Sequence, residues 1–185
     1  MAVRRIIRMG HPHLRQPAAA VDPTVLDTPE FARLLDDMYD TLHDYGGIGL
    51  AAPQIDVSLR LAIIELPGGP SRYGEIERIP LTVFVNPVLS VVDPAAAGYW
   101  EGCLSVPGLR GFVTRPQHVH VRYLDELGNE AEMTLQGFPA TVVQHEFDHL
   151  DGRLYIDRID DPTKLVFEDE FDRYVLPALQ GSPTV

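Results

Sequence analysis

Gln144-His145-Glu146-Phe147-Asp148-His149 carries an H-E-x-x-H pattern, inside a stretch from about Pro139 to Leu150 that the sequence predicts as a helix. Residues four apart share one helical face, so His145 and His149 can present imidazole nitrogens to one metal ion, with Glu146 beside them to handle the proton of a water. The same hexapeptide also fits a surface helix with two solvated histidines. A catalytic ion of this kind needs a third protein ligand and an open fourth position. Asp160 and Asp161 follow the helix, but no further histidine does. The only thiol stands upstream in Glu101-Gly102-Cys103-Leu104-Ser105, a Gly-flanked, Pro-ended segment expected to be irregular or a strand edge. A thiolate there could close a Cys-His-His set. Taken alone, it would equally be an inert buried cysteine.

A third segment, Gly47-Ile48-Gly49-Leu50-Ala51-Ala52-Pro53-Gln54, strips side-chain bulk from the backbone. That is needed where another chain approaches closely or where φ must be positive. Gln54 offers amide N–H donors at the edge of this opening. Tight helix-to-sheet packing would use the same small residues, and without a G-K-[ST] ending the segment is no phosphate loop.

Working outward, a helix is expected after Asp27, where Asp27 and Glu30 have capping-box spacing and Pro29 sits in the first turn. Phe31, Leu34, Leu35, Met38 and Leu42 form its apolar stripe, and Gly46-Gly47 ends it. Leu59 to Leu66 and Leu81 to Pro87 have the β-branched and aromatic content of strands, with the stretch from Pro67 to Pro80 as a surface loop. His118 to Tyr123 and Glu130 to Leu135 alternate around Leu127-Gly128-Asn129, as a hairpin does. A last helix is expected over Thr163 to Val175, stopped by Pro177. Without a regular βαβ rhythm, the pattern predicts an α+β fold: mainly antiparallel short strands around the H-E-x-x-H helix, with an N-terminal and a C-terminal helix.

The chain has 185 residues and 45% hydrophobic content, which fits one domain over residues 1–180 and a frayed tail at 181–185. Its formal charge of −12 repels phosphate backbones and anionic lipid, so no general nucleic-acid binding and no membrane partner are expected. One cysteine leaves no internal disulfide and suits a reducing, cytoplasmic setting. No stretch approaches the roughly 20 apolar residues of a membrane span. Arg4, Arg5 and Arg8 without acidic neighbours leave an organelle presequence as the weaker alternative.

Together and in this order, GIGLAAPQ, EGCLS and QHEFDHLDG resemble the motifs of the peptide deformylase family, with no motif position missing. The opening IIRMGHPHLRQPA is similar to the family's first strand and turn, which argues against a cleaved presequence. The resemblance implies a hydrolase that removes the formyl group from the N-terminal methionine of newly made proteins. It implies Cys103, His145 and His149 as ligands of one divalent metal, generally Fe2+, with Zn2+, Ni2+ or Co2+ also suited to such ligands. It implies Glu146 as general base, and Gln54 with the backbone N–H of Leu104 as donors to the developing oxyanion. N-formyl-methionyl nascent peptides would lie as an extended strand along Ile48 and Gly49. Tyr99, Trp100 and Val142 are candidates for the methionine pocket, and Glu101 with Arg115 for outer support of the metal site. Family members can act at the ribosome through a basic C-terminal helix. Here Glu168, Asp169, Glu170 and Asp172 face only Arg173, so that route is not evident.

Two other readings compete. A zinc endopeptidase would use an acidic or histidine third ligand and leave Cys103 dispensable. A fold that only binds peptide or metal would tolerate loss of Glu146 or Gln54, and both are present.

Overall fold

Thr28 is extended and directly precedes Pro29, which places its hydroxyl to accept the Phe31 N–H and start helix α1 (Pro29–Asp44). The cap is therefore Thr28 rather than Asp27, which lies one residue too far out to reach the orphan amides of the first turn. The helix stops where Gly46 takes a φ of +65°. Phe31, Met38 and Leu42 bury its stripe against Leu50, Leu61, Ile63 and Val85. The computed structural model describes residues 2–71 and 74–181.

Those partners belong to a sheet of order β1-β2-β5-β6-β7 with β8 added to β6, antiparallel throughout. Its strands are β1 (Gly49–Ala51), β2 (Leu61–Leu66), β5 (Ile79–Cys103), β6 (Val106–Leu124), β7 (Glu130–Gln136) and β8 (Leu165–Phe167). Between β2 and β5, β3 (Gly69–Ser71) and β4 (Gly74–Ile76) form a small hairpin where the sequence predicts only a loop. Not all strands are short: β5 runs for 25 residues and β6 for 19. Pro87 does not end β5, because it falls at a register shift between Val85 and Val88, where no ladder bond needs its missing N–H. Further shifts bend the β5–β6 pair, which ends in the tight turn that carries Leu104 and Ser105.

On the other face of the sheet, Ala140, Val143, Phe147 and Leu150 of helix α2 (Phe138–Leu150) pack on Ile64, Phe84, Val119 and Val121. α2 buries eleven of its thirteen residues, so the solvated-helix reading of the H-E-x-x-H segment fails. The predicted hairpin over residues 118–135 is present as β6 and β7.

The C-terminal helix begins later and ends later than expected. Leu165–Phe167 pair with Leu109–Gly111 of β6, so tertiary pairing overrides helix propensity there. The helix then starts at Glu168, widens to a π-helical turn over Phe171–Val175 and continues through Leu176–Gly181. Pro177 is tolerated because it falls where the wide turn has already shifted the hydrogen-bond ladder. Of the expected frayed tail at 181–185, residues 182–185 lie outside the described residues. Among the described residues, no helix is long and apolar enough to cross a membrane.

Candidate active site

α2 crosses behind the β5–β6 turn, so the end of β5 brings Cys103 onto the face of α2 that carries His145 and His149. One donor atom from each lies within 4.8 Å of the others. Cys103 Sγ is 3.3 Å from His149 Nε2. That is close to the roughly 3.5 Å separation set by bonds of ~2.3 Å to sulfur and ~2.05 Å to nitrogen at a tetrahedral angle. His145 gives Nδ1 to Glu101 Oε2 at 2.8 Å, which leaves Nε2 for coordination. A thiolate and two imidazoles in this arrangement fit a zinc- or iron-class ion.

Electrostatically these side chains act on one another. Burial opposes ionisation of the Cys103 thiol, but the charge and hydrogen bonds of His149 and His145 outweigh it and bring the thiol down to about 5. Burial likewise opposes charge on His145, yet Cys103 and Glu101 raise it well above the ordinary imidazole range. Glu101 stays below the usual carboxylate range despite burial, because His145 and Arg115 hydrogen-bond its charged form.

Arg115 grips both Glu101 oxygens, at 2.7 and 3.0 Å, and reaches Asp148 at 2.7 Å. Arg158 closes the row on Asp148. Sequence reasoning named Glu101 and Arg115 but missed Asp148, which stands between the motif's functional positions. A second carboxylate in a helix segment flanked by Ala140-Thr141-Val142-Val143 and Leu150 was the available signal, since a buried charge needs a partner.

Glu146 is buried, and its Oε2 has no hydrogen-bond partner among the described residues. Burial raises its pKa, as suits a group that must take up a proton. β1 runs against α2 here, and a Cβ built on Gly49 would overlap the Glu146 carboxylate. Gly49 is thus required by Glu146 itself as well as by any chain that approaches from outside. Gln54 Oε1 accepts the Ala51 N–H at 2.8 Å, which turns Nε2 toward Ser105 Oγ at 3.3 Å and Cys103 Sγ at 3.6 Å.

These groups open into a cavity of about 630 Å³. Ile48, Gly49, Gln54, Leu104, Val142 and Trp100 line it, together with Cys103, His145 and Glu146. Tyr99 is not among them: its ring packs edge-on at 5.6 Å against Phe138, which itself lines the cavity. Arg110 and Glu168 line the cavity unforeseen, and Arg110 Nε donates to Glu168 Oε1 at 2.9 Å. Glu168 opens the late-starting last helix, whose placement depends on contacts distant in the chain.

A buried helix that offers two imidazoles and a raised carboxyl, faced by an acidified thiol above an open cavity, defines a metal-dependent hydrolase. Residues 3–165 match the family described as polypeptide deformylase. "Peptide deformylase 1" of Prochlorococcus marinus is 46% identical over 172 residues, covering 93% of this chain and 88% of the relative. "Peptide deformylase" of Leptospira biflexa is 38% identical over 172 residues, covering 93% and 96%. A Met-Ala-Ser-bound class I type b peptide deformylase from Acinetobacter baumannii superposes with a TM-score of 0.79 at 38% identity, covering 85% of this chain and 98% of that one. An actinonin complex of the Ehrlichia chaffeensis enzyme gives 0.77 at 30% identity, covering 100% of both. The chain belongs to the polypeptide deformylase family, hydrolases that remove the N-formyl group from the N-terminal methionine of nascent proteins.

Proposed function

We propose that Cys103, His145 and His149 hold a single divalent ion, ferrous iron by the family's habit, and that Glu146 is the acid–base group of deformylation. The observation that carries this is the buried, unpartnered Oε2 of Glu146, a side chain that lines the cavity beside the Cys-His-His set. When bound, the ion supplies the Lewis acidity that makes a water nucleophilic near neutral pH. Glu146 takes the proton as that water adds to the formyl carbon. It returns the proton to the departing methionine nitrogen as the C–N bond breaks and formate leaves. The Gln54 amide and the Leu104 N–H donate to the carbonyl oxygen as it gains negative charge.

The substrate is a formyl-methionyl peptide, laid along β1, which ends the sheet and so offers a backbone edge. The Met-Ala-Ser peptide bound to the Acinetobacter baumannii relative supports a methionyl-peptide substrate. Ile48, Val142 and Trp100 supply an apolar pocket for the methionine, and Tyr99 backs it through Phe138. The setting is the bacterial cytoplasm, where formylated chains are made. Glu168, Asp169, Glu170 and Asp172 on the last helix disfavour docking to ribosomal RNA by that route.

Glu146→Gln keeps the shape and one acceptor but cannot take the proton. Formate release from formyl-Met peptides should fall by at least about 10²–10⁴-fold, with metal content by elemental analysis unchanged. Near-normal turnover at full metal loading would remove Glu146 from the mechanism.

A further inference from the structure

His11-Pro12-His13 lies at the start of a short 3-10 turn, and Asp56 ends another such turn 43 residues later in the chain. The two turns meet so that one donor atom from each of His11, His13 and Asp56 lies within 4.8 Å of the others. We infer that these three residues form a second metal site, on the surface, for a divalent first-row ion of the zinc class.

Four features carry the inference. The donor set, two imidazoles and one carboxylate, suits zinc, and three protein ligands leave a position for water. The rings of His11 and His13 meet edge-on at 5.1 Å and 75°, close to the 5.3 Å and 75° of His145 and His149 in the catalytic set. His11 Nδ1 accepts the His13 N–H at 3.4 Å, which fixes the ring and leaves Nε2 outward. His13 Nδ1 faces Asp56 Oδ1 at 2.5 Å, the spacing of a hydrogen bond, and a parting to roughly 3.4 Å would seat an ion between the two.

The scaffold is stiff. Pro12 locks one backbone angle between the histidines, and Asp56 holds a φ of +67°. All three side chains are accessible enough for an ion to enter. A bound ion would tie the N-terminal segment to the turn that carries Gln54. That segment already meets the site's backbone through Ile7 N–H to Gln54 O and Met9 N–H to Ser105 O, both 2.8 Å. The simpler alternative is an ion-free His13–Asp56 pair.

The test uses protein loaded with one zinc per chain at the Cys103 set, equilibrated with excess zinc and then analysed for metal. Wild type should bind a second ion, and its thermal unfolding midpoint should rise with added zinc. His13→Gln and Asp56→Asn should lose the second ion, with affinity down by more than the about 10–100-fold that loss of an outer partner costs. Asparagine tolerates the positive φ, so Asp56→Asn removes the charge without straining the turn. His120→Gln, an unrelated histidine variant, should retain two ions. One ion per wild-type chain, or two in both His13→Gln and Asp56→Asn, would overturn the inference.

Discussion

Gln54 is anchored through its oxygen, so its nitrogen is the end left to do chemistry. Because Ala51 N–H donates to Oε1 inside the protein, Gln54→Leu has two separable consequences. Loss of a donor aimed at transition-state charge should lower kcat by about 10²–10³, with KM within a few-fold and metal content unchanged. The buried Ala51 N–H also loses its acceptor, which should cost about 1–3 kcal/mol in denaturant unfolding. A steep rise in KM at constant kcat would make Gln54 a substrate holder instead. At this scale the chemistry-bearing residues were legible because their types and motif spacing are diagnostic. Tyr99 was named from nearness in sequence, and it reaches the cavity wall through Phe138, on which its ring packs. The Arg158–Asp148–Arg115–Glu101 row was only half legible, since it exists only when α2 packs across β5 and β6.

α2 and β1 approach so closely that the glycine at the contact is dictated by the carboxylate opposite. Gly49→Ala must push Glu146 aside or shift β1, and a displacement on the order of 1 Å can cost about 10²-fold in rate. The ion at the Cys103 set should be retained, because neither element's movement needs to disturb Cys103, His145 or His149. Full activity in Gly49→Ala would show that Glu146 has room to spare. Helix α1 and the β6–β7 hairpin were legible from periodicity and turn chemistry, which are local. The length of β5 and the late start of the last helix were not, because both depend on partners distant in the chain. Bulges let β5 run past Pro87, and β6 recruits Leu165–Phe167 as a strand.

Over the whole molecule, two helices on opposite faces of one sheet leave the site in a cavity walled partly by the last helix, an arrangement that no single segment of sequence specifies. The charge was legible from composition alone, and it has a kinetic consequence. A net −12 draws cationic peptides toward the protein and repels anionic ones. Arg8 and Arg110 at the cavity oppose this locally, but Arg110 is paired with Glu168, and Asp169, Glu170 and Asp172 follow on the same helix. The net field should therefore prevail at low salt. A formyl-Met peptide with lysine in its next positions should show a several-fold higher kcat/KM than its glutamate counterpart at ~10 mM ionic strength. At ~0.5 M salt, screening acts within a few ångströms and the ratio should fall toward one. The change should appear in kcat/KM and not in kcat, because steering acts on encounter and not on the bound complex. A preference that persists unchanged at high salt would instead place the discrimination in direct contact with a side chain such as Arg8.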